Sequence, residues 1–286
     1  MIKKGILIFA HNSQYLDYAR LAGISGKLAV EKLGMPATLI TDDDTVRWAK
    51  SNNEYRFLSQ IFENIIISDR PNMANQRNLK DGDISERIPF INSNRNLSWD
   101  LSPYDRTLVI DSDFLVLSNN LNKYWDLDDD FLIAESASDI DPNDRLGYHD
   151  RYISDTGIKL NWATTFFFTK NEKTKVFFDL CKVISSNYQY YADLFRFDPR
   201  QYRNDIAFSI AVHILNGFST KEINFLPPVK TFLDTDLLIN VGNKKLTFLI
   251  KDKSGVSYTA CSVFDRDIHV MNKQNLLRFE KELKLL

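Results

Sequence analysis

Short apolar runs that end in polar residues set the rhythm of the first half of the chain. GILIFA (5–10) is continuously apolar, as expected of a strand buried on both faces, and His11 and Asn12 follow it. Over 13–34, Tyr15, Tyr18, Ala22, Ala29 and Leu33 recur on one helical face, with Gly34 as the expected stop. ATLIT (37–41) reads as a second strand ending at Asp42, Asp43 and Asp44. A helix over 45–62 leads to a third strand, NIIIS (64–68).

Residues 70–106 are polar and irregular and carry Arg70, Arg77, Arg87, Arg95 and Arg106. RTLVI (106–110) is a fourth strand, and another lies within 128–136. The polar stretch 136–160 lacks periodicity and reads as a surface loop or lid. NWATTFFFT (161–169) is an apolar strand, followed by a helix over 173–186 and an aromatic-rich segment, 187–205. A helix over 205–217 has Asn204 as its expected N-cap and Gly217 past its end. The tail predicts short strands within 229–241, 245–251 and 267–271, then a helix over 276–284.

Alternating strands and helices predict an α/β fold with a largely parallel sheet. Ligands of such sheets bind beyond the carboxyl ends of the strands. That rule gathers His11, Asn12, Asp42, Ser68, Asp69 and the residues after 110 on one rim.

The composition narrows the function only a little. Hydrophobic content of 44% and charge of 26% are ordinary for a globular chain of 286 residues. A net charge of −2 supplies no overall basic field for nucleic acid, although a local basic groove stays open. The two cysteines, Cys181 and Cys261, have no zinc-type spacing and suit a reducing compartment. No run approaches the ~20 apolar residues that span a bilayer, and the N-terminal run is too short for a secretory signal. A cytoplasmic protein is the expectation, or one of the host cytoplasm if the source is viral.

The most pointed stretch is TLVIDSDFLVLSN (107–119), which sets Asp111 and Asp113 between two apolar runs. Asp-x-Asp recurs seven more times, so spacing alone decides nothing; Asp234/Asp236 in TFLDTDLLI is flanked in the same way. Two readings follow. Paired carboxylates at a strand end suit Mg²⁺ or Mn²⁺, which take one or two carboxylates and complete their shell with phosphate and water. Asp, Ser and Asn are also ordinary turn residues.

These residues carry a family resemblance. YDRTLVIDSDFLVLSN is similar to the metal motif of nucleotide-sugar glycosyltransferases of the GT-A fold, above all the retaining group that includes glycogenin and bacterial lipopolysaccharide galactosyltransferases. GILIFAHN and TLITDD resemble that group's first two strands, and LNWATTFFFTK the strand lining its sugar pocket. YRNDIAFSIAVHILNG resembles the segment presenting an acidic residue to the donor sugar, and DIHVMNK the C-terminal His stretch. Four departures stand out. The glycines and prolines after that His are missing, and Lys273 follows His269 by four residues instead of six. No Ala-Gly follows Asn161, and Asn204-Asp205 replaces an Asp-Gln pair.

The resemblance implies one Rossmann-like GT-A domain over 1–286, with a central, mostly parallel mixed sheet flanked by helices. Its nucleotide-binding half would be 1–118 and its acceptor and sugar half 119–230, with 231–286 completing the metal site. It implies Asp111, Asp113 and His269 as ligands of Mn²⁺ or Mg²⁺. Ala10, His11, Asn12, Asp42, Arg95, Ser112 and Lys273 would bind the nucleotide, Asn161 and Asn204 the sugar, and Asp205 would act in catalysis. The expected partners are a nucleoside diphosphate sugar, most simply a UDP-sugar, and an unidentified hydroxyl acceptor: a saccharide, a lipid head group, a protein or a modified nucleic acid such as hydroxymethylated phage DNA. Retention of anomeric configuration is expected. A nucleotidyltransferase would carry a Gly-rich basic loop after the first strand, which AHNSQYLDYA lacks. A carbohydrate- or Ca²⁺-binding module would bind metal without nucleotide.

Overall fold

The computed structural model describes residues 2–69, 76–81, 84–89, 91–200, 202–218, 224–242 and 245–286. Arg70 lies outside them. The chain begins β1 (Lys4–Phe9), α1 (Tyr18–Leu33), β2 (Ala37–Thr41), α2 (Asp43–Ser51), α3 (Tyr55–Ile61) and β3 (Phe62–Ile67). The expected helix over 13–34 starts only at Tyr18, because Asn12 and Ser13 fold back as a turn. Asn12 Oδ1 accepts from Ala19 N–H at 2.8 Å and Ser13 Oγ from Leu16 N–H at 3.1 Å. The expected helix over 45–62 breaks into two at Asn53, whose φ of 59° is left-handed.

Within 70–106, expected to be irregular, β4 (Gln76–Asp81) and β5 (Ile84–Pro89) form an antiparallel hairpin, and α4 (Ser98–Leu101) follows. Next come β6 (Arg106–Ile110), β7 (Phe114–Leu115) and β8 (Phe131–Ala134). The stretch 136–160 is more ordered than its polarity suggests, holding β9 (Ala137–Asp139), β10 (Tyr152–Ile153) and β11 (Ile158–Lys159). Its anchor is Arg145, which forks between the buried carboxylates of Asp139 and Asp236 at 2.7 and 2.5 Å.

The second half holds β12 (Trp162–Thr169), α5 (Glu172–Ser186), α6 (Tyr188–Phe195) and α7 (Asn204–Leu215). It continues with β13 (Val229–Phe232), β14 (Leu237–Gly242), β15 (Lys245–Lys251), β16 (Tyr258–Phe264), β17 (Ile268–Val270), α8 (Lys273–Arg278) and α9 (Glu280–Leu283). Asn204 is the first residue of α7 and not its N-cap. Arg203 holds that position in extended conformation, while the Asn204 amide donates to the Asn92 carbonyl at 3.2 Å.

Six strands form the central sheet in the order β3-β2-β1-β6-β12-β8, parallel except for the reversed β12. Strand alternation builds two cores. Ile6, Ile8, Leu108 and Phe167 face α1, whereas Leu7, Phe9, Val109, Phe166 and Phe168 face α5 and α7. A second sheet, β7-β17-β13-β9, sits beyond the carboxyl end of β6. The strand order reverses direction between β1 and β6, so the crevice at their carboxyl ends is the fold's natural ligand position.

Candidate active site

Asp111 and Asp113 occupy the turn that carries the chain from β6 into β7. The Asp111 N–H donates to the Thr164 carbonyl at 2.9 Å, and Phe114 N–H closes the turn on the Asp111 carbonyl at 3.1 Å. The Ser25 hydroxyl of α1 donates to the Phe114 carbonyl and fixes the turn from below. β17 then pairs antiparallel with β7 in a register that sets His269 opposite Phe114, and Val270 N–H donates to the Asp113 carbonyl at 3.0 Å. Asp267 locks this register by accepting the N–H groups of Leu117 and Ser118, both at 2.8 Å. Backbone pairing thus carries a residue from the far end of the chain onto the carboxylate turn.

The side chains of Asp111, Asp113 and His269 are buried, and one ligand atom from each lies within 4.8 Å of the others. Lys273 forms an ion pair with Asp113, and Arg95 one with Asp111. His269 Nε2 stands 3.2 Å from Asp113 Oδ2. Arg95 also donates to the Ala163 carbonyl at 3.0 Å, which pins it between β12 and the turn.

The two carboxyls are poised differently. Burial pushes Asp111 up to about 6, against the pull of Arg95, with the neighbouring Asp113 adding to the rise. Burial acts on Asp113 in the same sense, but Lys273 and His269 outweigh it and hold that carboxyl well below the usual range. Asp111 Oδ1, Asp113 Oδ2 and His269 Nδ1 are buried without an aligned hydrogen bond. The carboxylates are held by the charges of Arg95, Lys273 and His269, and two carboxylate oxygens with an imidazole form a hard and borderline donor set of the kind that binds divalent cations. The residues fit a divalent cation.

A cleft of about 290 Å³ opens over this cluster, lined by Asp111, Arg95, His269, Lys273, Asn204 and Asp205. Trp162, Thr164, Tyr202, Arg203, Met271, Asp150, Asp234, Asn78 and Lys80 complete its wall. Asp205 Oδ1 accepts the Ala163 N–H at 2.8 Å, and its other oxygen meets Arg203 at 3.2 Å. The Trp162 ring meets His269 edge-on at 5.7 Å and the Arg203 guanidinium at 5.9 Å. Asn204 Oδ1 is buried without a hydrogen-bond donor.

Several expected site residues lie elsewhere. His11 is fully buried with both ring nitrogens engaged, Nδ1 at 3.0 Å from Asp42 and Nε2 at 3.2 Å from Asn94. Asp42 also caps α2 by accepting Thr45 N–H at 2.7 Å. Ala10 is buried just past β1, while Ser112 is buried in the carboxylate turn itself, between Asp111 and Asp113. Asn161 is one residue out of phase with Trp162 and Thr164, and its amide turns to the Glu135 carbonyl at 3.2 Å. Asn12 lines a separate cleft of about 790 Å³ with Tyr15, Arg20, Trp48 and Gln274. The competing pair is split: Asp236 is spent on Arg145 and on Leu233 N–H, whereas Asp234 stands in the wall of the cleft. Trp162 and Arg203 escaped the sequence reading. Strand alternation in NWATT would have pointed to Trp162 and Thr164. Arg203 carries no local signal.

No protein-family model matches the chain, and no curated protein matches it. Among solved structures, the chain is similar to the glycosyltransferase GlyE of Streptococcus pneumoniae TIGR4. That likeness has 15% identity and a TM-score of 0.41, covering 78% of this chain and 46% of that one. The chain therefore spans about half the length of GlyE. It is also similar to the galactosyltransferase LgtC in complex with donor and acceptor sugar analogs, at 16% identity, TM-score 0.41, 72% of this chain and 70% of that one. A putative glucose-1-phosphate thymidylyltransferase from Bacillus anthracis matches at 12% identity, TM-score 0.36, 78% of this chain and 86% of that one.

Proposed function

We propose that the chain is a metal-dependent glycosyltransferase of the GT-A type, moving a sugar from a nucleoside diphosphate, most simply UDP, to a hydroxyl acceptor. The observation that carries this reading is the Asp111–Asp113–His269 cluster with Arg95 and Lys273 folded onto it. Without metal, two cations neutralise two carboxylates. A divalent ion on the carboxylates would free both cations and leave a surplus of about two positive charges, which matches a diphosphate. Bound there, the ion would supply Lewis-acid stabilisation of the diphosphate leaving group.

Lys273 and Gln274 are consecutive but line different clefts, Lys273 the one over the carboxylates and Gln274 the one beside Tyr15 and Trp48. A nucleotide with its nucleoside in the larger cleft and its diphosphate at Lys273 would bridge the two. In that pose Asn12 is the member of the first-strand group within reach of the nucleoside. His11 acts from behind, holding Asn94 and the Asp42 cap. The sugar would occupy the smaller cleft, where the orphaned Asn204 Oδ1 accepts a sugar hydroxyl. Asp205, oriented by Ala163 N–H and Arg203, stabilises the positive charge developing at the anomeric carbon. That placement accords with retention.

The test is a donor screen that reads UDP or GDP release from nucleotide sugars with and without Mn²⁺, in the wild type and in Asp113→Asn. Metal-dependent UDP release lost in the variant supports the proposal. Pyrophosphate release from a nucleoside triphosphate and a sugar phosphate would replace it with nucleotidyl transfer. A large thermal shift with Ca²⁺ alone, indifferent to UDP, would replace it with a binding module. Saccharides and hydroxymethylated DNA are the acceptor arms of the second round.

A further inference from the structure

The three-stranded sheet β14-β15-β16 stands apart from the site, and β16 is its open edge. β16 is exposed along nearly its whole length, with Tyr258 44% and Phe264 70% exposed, and its cross-strand partners among the described residues all lie in β15. Natural edge strands are usually blunted by Lys, Pro, inward charges or bulges. β16, YTACSVF, has none of these, and its pairing with β15 runs in unbroken register from Tyr258 to Phe264.

The strand also reads the same in both directions by residue class. On either side of Cys261 come a small residue, a β-branched residue and an aromatic one: Ala260 and Ser262, Thr259 and Val263, Tyr258 and Phe264. We propose that β16 pairs antiparallel with β16 of a second copy of this chain, about a two-fold axis through Cys261. Such a contact is isologous and closes on itself. It sets Tyr258 opposite Phe264 twice, and aromatic pairs across antiparallel strands are among the stabilising ones.

The hydrogen-bonding phase agrees. Asp252 N–H donates to the Ser257 carbonyl at 2.9 Å, and bonded pairs alternate along an antiparallel ladder. Thr259, Cys261 and Val263 therefore spend their backbone groups on β15, whereas Tyr258, Ala260, Ser262 and Phe264 point theirs at the open edge. Seven residues a side fall well short of the ~20–30 of a standard interface, so only a weak, concentration-dependent dimer is expected.

Sedimentation equilibrium on the full chain tests this. The wild type should pass from one to two times the chain mass as concentration rises. Ser262→Pro removes an N–H that points outward and not into β15, and Ala260→Lys places a charge on the edge. Each should remain at chain mass and keep the wild-type far-UV circular dichroism. Copper(II)–phenanthroline, taking two electrons from two thiols, should join wild-type chains through Cys261 and fail on Cys261→Ser; Cys181 is fully buried. A wild type at chain mass throughout, or both edge variants dimerising like the wild type, would overturn the proposal.

Discussion

Substituting Asp111 by Asn should separate the two carboxylates by sign. The rise of Asp111 from an ordinary 3.8 to about 6 means that keeping it ionised in the metal-free protein costs ~3 kcal/mol. A neutral amide at this position would remove that cost, in which the pull of Arg95 and the repulsion of Asp113 are already included. Near pH 7.5 the variant should therefore exceed the wild type by up to ~3 kcal/mol, a rise of several degrees in melting temperature. The sign with pH follows from linkage. The native Asp111 takes up its proton near pH 6 and the unfolded chain only near 3.8, so through this group wild-type stability grows as pH falls from 7 to 5. The variant should lack that increment. Asp113→Asn should do the opposite, stranding the buried Lys273 without a counter-ion at a loss of ~3–5 kcal/mol. Both variants should lose metal-dependent UDP binding. Urea unfolding of metal-free protein across this pH range reads all of the stability effects. Severe destabilisation by Asp111→Asn beside a silent Asp113→Asn would refute the electrostatic reasoning.

Because protons and metal compete for Asp111, Mn²⁺ affinity measured by electron paramagnetic resonance should be level above pH ~6 and fall about tenfold per pH unit below it. Arg145→Met should cost ~3–5 kcal/mol in denaturant titration, since it strands Asp139 and Asp236, yet leave Mn²⁺ binding intact. Loss of Mn²⁺ binding in that variant would mean that the site had been assigned to the wrong acidic pair. Hydrogen exchange in β4, β5 and 136–160 should slow when UDP and Mn²⁺ are added together, because closure over a sugar donor excludes water. Equal exchange with and without ligand counts against a closing cleft.

The sheet was legible because its inner strands β2, β1, β6 and β12 are buried on both faces and so appear as bare apolar runs. The carboxylate turn showed for the same reason, standing between two such runs. What stayed hidden came from pairing at a distance. Nothing local in TFLDTDLLI reveals that Asp236 meets Arg145, 91 residues away. His11 and Asn12 look equivalent in sequence, yet tertiary contacts with Asn92 and Asn94 seal the first and leave the second at a cleft. The polarity of 136–160 suggested a loose loop. Pairing of β9 with β13 and of β10 with β11 orders it, with Arg145 forked between two carboxylates, and a charge pattern without its partners cannot show that.

The central claim is that Asp111, Asp113 and His269 form a divalent-cation site that a nucleoside diphosphate completes. Mn²⁺ titration followed by paramagnetic relaxation, with and without UDP, in the wild type and His269→Ala, tests it most directly. The account predicts weak Mn²⁺ binding to the wild type alone, tightened by roughly tenfold or more with UDP, and a clear loss in His269→Ala under both conditions. Mn²⁺ affinity indifferent to UDP and unchanged in His269→Ala would contradict it.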